Sequence, residues 1–213
     1  MIGSLLAKLR LVWDHCTVCG GNLGSSPQGY LCPSCLSGIK PAPTSRREPL
    51  PYVSAYRVYA PYEGVLAEAI RLIKFRGVRP LARLLGERIG GDLRSFREEV
   101  SADVITFVPV HPFRYWGRGF DHNREILRGT DLRWEEILVR TKHTKPLARY
   151  GKEERFRKVE SAFSPAKGER VEGKRVLVFD DVLTTGATAV SVSRTLLLHG
   201  ADAVFFYFLS REG

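Results

Sequence analysis

Four β-prone apolar residues in a row, Val176-Leu177-Val178-Phe179, constrain the fold most, because no polar residue alternates with them. Such a strand is buried on both faces, as in a parallel sheet covered by helices, and the chain is therefore read as α/β. Two carboxylates, Asp180 and Asp181, stand where the strand is expected to end. Val182-Leu183-Thr184-Thr185-Gly186-Ala187-Thr188 follows as a turn rich in hydroxyls. From Ala187 to His199 the spacing of Ala189, Val192, Leu196 and Leu197 predicts a helix, with Gly200 as its stop. Ligands of open α/β sheets bind at the carboxyl ends of strands, and a helix start offers unpaired N–H groups to anions. The small turn residues let a phosphate reach those groups, and Thr184, Thr185 and Thr188 add hydroxyl donors. Ionised carboxylates only accept hydrogen bonds, so the acidic pair suits vicinal hydroxyls. Phosphate on the turn and a diol on the acids together describe a ribose 5-phosphate.

A P-loop would need a Gly-Lys-Ser/Thr ending, which is missing. A receiver domain also has paired acids after a strand, but near its start, and too few residues follow Asp181 to complete one. A turn without a ligand is the third alternative. Against it, adjacent carboxylates at a buried strand end repel each other and are costly to keep. The stretch resembles the phosphoribosyl-diphosphate (PRPP) motif of type I phosphoribosyltransferases. That resemblance implies a type I phosphoribosyltransferase-like parallel sheet flanked by helices. It also implies PRPP, or a ribose 5-phosphate-like ligand, held by Asp180, Asp181, Val182, Leu183, Thr184, Thr185, Gly186, Ala187 and Thr188, with Mg2+ on the diphosphate.

At 213 residues the chain has room for one α/β domain and a small appendage. Its net charge of +10 suits a polyanionic partner, although solubility alone would use part of it. No apolar run approaches the roughly 18–20 residues of a membrane span, so no membrane insertion is expected. Met1 to Trp13 is interrupted by Lys8 and Arg10 and lacks a small-residue cleavage site, which gives a cytoplasmic expectation.

Within that first segment, Leu5, Leu6, Leu9 and Val12 share one helical face over Ser4–Trp13; packing on the protein itself and lying on a membrane surface are both compatible with it. All four cysteines come next, as Cys16-x-x-Cys19 and Cys32-x-x-Cys35. Each such turn aims two sulfurs at one metal, and the expected set is a structural Zn2+ on Cys16, Cys19, Cys32 and Cys35. Disulfides are the alternative, and the lack of an export signal argues against them. Gly20 and Gly38 are expected to relieve the two turns. Lys40 to Pro51 contains Pro41, Pro43, Pro49 and Pro51 and reads as a linker. The expected organisation is a helix and zinc-binding module over 1–40, a linker over 41–51 and the α/β domain over 52–213.

In that domain, Tyr52–Tyr59 reads as a strand. Glu63–Phe75 reads as a helix stopped by Gly77, and Pro80 opens another helix carrying Leu81, Leu84, Leu85 and Ile89. Lys74 and Arg76 at a helix end either offset the dipole or bind anions. Asp103–Val110 is a second buried strand. It is followed by Pro109-Val110-His111-Pro112, Arg114 and Arg118-Gly119-Phe120, where a strand running into a basic loop could hold pyrophosphate. Glu135–Arg140 is a further strand candidate, and Val204–Leu209 closes the sheet. Between Arg140 and Lys158 the chain is strongly basic, with Lys142, Lys145, Arg149, Lys152, Arg155 and Arg157 against Glu153 and Glu154. It reads either as a solvated face or as a mobile loop covering an anion or contacting nucleic acid.

Taken together, Cys16 to Cys35, Lys74-Phe75-Arg76-Gly77, Arg118-Gly119-Phe120, the basic stretch ending in Ala162-Phe163 and Asp180 to Thr188 resemble the ComF family of competence-associated proteins. The resemblance spans nearly the whole chain. Asp121-His122 stands where that family usually has Asn-Gln, Leu147 where it has Gln and Lys158 where it has Asn. The family implies a PRPP-binding transferase fold that handles single-stranded DNA, with DNA-uptake proteins as partners. Backbone phosphates and stacking aromatics are the physical means of such binding. The other function class is a working phosphoribosyltransferase, salvage or biosynthetic, whose acceptor has no evident site in the sequence.

Overall fold

The computed structural model describes residues 15–23, 30–41, 48–141, 162–168 and 171–212. In chain order these form α1 (Pro33–Gly38), β1 (Ala55–Pro61), α2 (Gly64–Arg76), α3 (Arg79–Glu99), β2 (Val104–Phe107), α4 (Pro112–Arg118), α5 (His122–Arg128), β3 (Leu138–Arg140), β4 (Phe163–Pro165), β5 (Arg175–Leu183), α6 (Ala187–Leu198) and β6 (Ala203–Arg211). The expected Ser4–Trp13 helix and the basic residues 142–158 lie outside the described residues.

Four strands pair in the order β1-β6-β5-β2, every pair parallel. Side chains alternate across the sheet. Leu177 and Phe179 of β5 join the core under α2, α3 and α5, while Val176 and Val178 join the core under α6. The antiparallel β3–β4 ribbon covers that second core with Leu138 and Phe163. β6 does not lie at the edge of the sheet, as a closing strand would, but between β1 and β5. Its residues from Ala203 to Ser210 are buried on both faces, which is what an inner parallel strand requires.

Glycine sets the contact of α3 with α5. A Cβ on Gly86 would sit 2.0 Å from the Ile126 carbonyl oxygen, and one on Gly129 2.0 Å from that of Arg83. The two backbones therefore touch. Across the crossing, the buried Glu125 carboxylate accepts from Arg79 (2.7 Å), Arg83 (3.1 Å) and Arg128 (2.6 Å). Burial opposes its ionisation, and the three guanidinium groups outweigh that and hold its pKa below the usual range.

The cysteine-bearing segment packs on the α2–α3 side. Cys16, Leu31, Cys32, Cys35 and Ile39 belong to the same buried cluster as Leu66 and Leu85, and Arg88 donates to the Ile39 carbonyl. Gly20 does adopt a left-handed backbone (φ 70°), as the first turn was expected to need. Gly38 does not; it ends α1 and faces Val65 of α2. Among the described residues no helix is long and apolar enough to cross a membrane.

Candidate functional site

β5 does not stop at Phe179. Its neighbour β2 ends there, but β6 continues alongside, pairing Asp180 with Phe208 and Val182 with Ser210. The ladder on that side draws both acids into the strand, at the carboxyl end of the sheet. Both stay buried, with Asp180 at 8% and Asp181 at 6% exposure. Both side chains nevertheless meet the start of α5, Asp181 at His122 and Asp180 at Asn123.

On the α2–α5 face, Asp181 Oδ2 receives Lys74 Nζ at 2.5 Å and His122 Nε2 at 2.7 Å. An ionised carboxylate only accepts, so His122 carries its proton on Nε2. Burial raises the Asp181 pKa, but the charges of Lys74 and His122 overcome it and hold the group well below the carboxylate range. Lys74 is thus an ion-pair partner inside the site rather than a compensating charge at the helix end.

Asp180 has weaker support. Its Oδ1 accepts from Asn123 Nδ2 at 3.1 Å and from the Asp181 N–H at 3.0 Å. Asn123 Nδ2 also donates to the Val108 carbonyl at 2.9 Å, which fixes the orientation of its amide. Burial and the Asp181 charge push the Asp180 pKa up to about 7. One acid is therefore locked as an anion, and the other is poised to bind or release a proton.

After Leu183 the chain turns through Thr184 and Thr185 into Gly186, the left-handed N-cap of α6 (φ 75°). Gly186 has no side chain to cap this helix, and Thr185 Oγ1 accepts from the Ala187 N–H at a long 3.5 Å. Leu183 and Ala187 are core residues that seat the turn, whereas Thr184, Thr185 and Thr188 reach solvent in varying degree. The positive φ demands glycine here, and a Cβ on Gly186 would also push against Leu50 Cδ2 at 2.5 Å. A depression of about 300 Å³ surrounds the turn, and a cleft of about 450 Å³ opens beyond the acids between Lys74, Val110, Asn123 and Arg140.

The other basic candidates fall out differently. Arg76 is exposed and does not line the cleft. Val110 lines it, and its N–H is bonded to Asp121 Oδ2 at 2.8 Å. His111 caps α4, its Nδ1 accepting from the Phe113 N–H at 3.1 Å. Arg114 and Arg118 lie in α4. Lys142, Lys145, Arg149, Lys152, Arg155 and Arg157 lie outside the described residues. Sequence reasoning assigned no role to His122 or Asn123, and Arg140 entered only as the start of the basic stretch. Asp121-His122 did stand out as a departure from the family pattern, and that was the available signal. Arg140 lines the cleft with its guanidinium 5.2 Å from the Phe163 ring centroid.

A second site gathers the cysteines. The sulfurs of Cys16, Cys19, Cys32 and Cys35 all lie within 4.8 Å of one another, and Cys19 Sγ is 3.8 Å from Cys32 Sγ. Tetrahedral thiolate coordination at roughly 2.3 Å calls for sulfurs about 3.8 Å apart, so the donor set fits a metal ion. Gly21 and Cys35 each direct a backbone N–H at a cysteine sulfur, both at 3.4 Å. Such donors stabilise thiolate charge.

No protein-family model matches the chain. Curated relatives do match over almost its whole length. DNA utilization protein YhgH of Escherichia coli K12 is 27% identical over 93% of this chain and 91% of its own. Competence protein F of Haemophilus influenzae is 27% identical over 92% and 96%. Competence protein ComFC of Streptococcus pneumoniae is 24% identical over 74% and 68%. Over most of its length the chain is thus similar to competence and DNA-utilization proteins, in line with the ComF resemblance of its motifs. The parallel sheet flanked by helices and the N-terminal four-cysteine cluster are the fold class that the ComF resemblance implies. Among solved structures, a Bacillus subtilis glutamine PRPP amidotransferase complexed with ADP and GMP aligns with 60% of this chain and 25% of its own (23% identity, TM-score 0.38). A Staphylococcus aureus hypoxanthine phosphoribosyltransferase aligns over 61% and 62% (14% identity, TM-score 0.37).

Proposed function

We propose that this protein binds PRPP with Mg2+ at the carboxyl end of β5 and handles single-stranded DNA in the cytoplasm during natural transformation. The observation that carries the reading is the pair Asp180–Asp181, kept buried side by side next to the glycine-capped start of α6. Ribose hydroxyls would donate to the acids, chiefly Asp180, since Asp181 Oδ2 already takes two donors. The 5-phosphate would sit on the Thr184–Thr188 turn, and Lys74 and Arg140 would face the diphosphate with its Mg2+. The four cysteines would hold one Zn2+ in a module over 1–40, joined by a 41–51 linker to the domain over 52–213. The relatives' names support the DNA role.

Calorimetry with PRPP and Mg2+ tests the donor site. Each charged hydrogen bond is worth roughly 1.5–3 kcal/mol, so Asp180→Asn is expected to weaken PRPP binding by about tenfold or more. Equal affinity of variant and wild type would remove the assigned role.

The 450 Å³ cleft favours a second reading, an active phosphoribosyltransferase, because it leaves space beside the acids for an acceptor. Holding donor and acceptor together supplies roughly 7–11 kcal/mol of catalysis, and no residue of the cleft is identifiable as a hydrogen-bonding reader of a base edge. Pyrophosphate release with each common nucleobase at saturating PRPP separates the readings. Slow hydrolysis alone is the expected result, and turnover in the usual enzyme range of about 1 to 10³ per second would favour the transferase.

A further inference from the structure

We infer that α4 and the adjoining end of α2 form a stacking surface for unpaired nucleobases, with Phe113 and Trp116 as its platforms and Phe75 where it meets the cleft. This rests on the single-strand reading above and gives it a location. The fold buries Phe96, Phe107, Phe120, Phe179, Phe206 and Tyr207, yet leaves Trp116 84%, Phe75 77% and Phe113 69% exposed. Phe113 and Trp116 are three residues apart in one helix and so share a side of it. Phe75 lines the cleft together with Val110, two residues before α4 begins. The end of α2 also abuts the segment after α4, with Gly77 near the Phe120 ring and the Arg79 guanidinium 5.9 Å from its centroid. The three exposed rings therefore border one approach to the Asp180–Asp181 site.

Charge selects the occupant. From Val104 to Phe120 there is no acidic residue, while Arg114 and Arg118 alternate with the aromatics. Lys74 and Arg76 stand at the adjoining helix end. The first acid after this stretch, Asp121, is buried and bonded to the backbone N–H groups of Val110 and Arg124. Exposed aromatic rings in a stretch rich in arginine and free of acids suit single-stranded nucleic acid, because every base has a stacking face and every linkage a negative charge.

The test titrates the full chain with dT15 and with an abasic strand of equal length, following tryptophan emission. Stacking is worth roughly 1–3 kcal/mol per base, or about 5- to 150-fold for each ring engaged. The wild type should bind dT15 at least tenfold more tightly than the abasic strand, with quenching of emission. Phe113→Ala with Trp116→Ala should abolish that preference and leave both the salt dependence and PRPP affinity unchanged. Trp116→Phe should keep most of the preference, which separates stacking from a folding defect. A double variant that binds dT15 as the wild type does would overturn this surface alone. A wild type that binds neither strand would overturn the surface together with the single-strand reading. Dissociation of an oligomer by Trp116→Ala, seen in sedimentation with dT15 binding retained, would assign the patch to a second copy and overturn the proposal.

Discussion

Asp180 weakens the fold in which it sits. Burial and the neighbouring Asp181 anion raise its pKa to about 7, above the ordinary value of 3.8. In the folded protein it therefore holds a proton that the unfolded chain has already released. Stability consequently falls as pH climbs from about 4 through about 7 and stays reduced above that. Asp181 has the opposite sign. Lys74 and His122 hold its pKa below 3.8, so its contribution is present above that value and is lost as pH falls through the acid range. Asparagine at 180 would keep an oxygen for Asn123 and for the Asp181 N–H while removing the buried charge. Asp180→Asn is thus expected to raise stability at pH 8 by on the order of 1–3 kcal/mol, roughly 2–12 °C in Tm, with the gain vanishing near pH 4. Thermal unfolding at the two pH values checks it, and a variant less stable than wild type at pH 8 would contradict it. Together with weaker PRPP binding, this would mark Asp180 as a residue kept for a ligand at the expense of stability.

Among the elements, α5 does the positioning. It carries His122 and Asn123 at its start and meets α3 backbone to backbone at Gly86 and Gly129. Gly86→Ala places a Cβ 2.0 Å from the Ile126 carbonyl oxygen. The helix-propensity gain of up to about 1 kcal/mol is outweighed by overpacking, typically 1–3 kcal/mol or more where the clashing atoms are backbone. The helices must separate, and the two side chains then shift against Asp180 and Asp181. Gly86→Ala should lower stability in urea and weaken PRPP binding as well. Gly91→Ala, on the same helix with nothing within 4 Å of its Cβ, should stabilise by about 0.5–1 kcal/mol and leave binding alone. Equal behaviour of the two variants would remove α5 from this role. The sequence made α2, α3, α6 and the Val176–Phe179 run legible because each is long or strongly patterned. The extension of β5 through the acids was hidden, since Asp and Thr resemble turn residues until β6 is alongside. His122 and Asn123 were out of reach because their partners lie almost sixty residues away in sequence.

Across the whole molecule, two C-x-x-C pairs and a proline-rich stretch read as a module tethered by a linker. Local spacing gave the ligand set, but it could not say what the module packs on. Cys16, Cys32, Cys35, Leu31 and Ile39 share one buried cluster with α2 and α3, and Arg88 of α3 bonds the Ile39 carbonyl. A tethered module would melt by itself when its metal is removed. A module sharing the core should lower the stability of everything it touches, because metal-binding free energy becomes folding free energy. Four thiolates within 4.8 Å also repel one another once no cation is bound, and the cluster would have to protonate or open. We therefore expect fresh reduced protein to carry one zinc per chain. Removing it with a strong chelator, or by Cys32→Ser, should lower the main thermal transition by several degrees as one cooperative step, with the Val65 side of α2, which faces Gly38, losing hydrogen-exchange protection. Protection at α6, on the far side of the sheet, should change least at temperatures well below that transition. An unchanged main transition, with exchange confined to residues before the linker, would instead describe two independent modules. Metal content near zero in fresh protein would withdraw the zinc assignment itself.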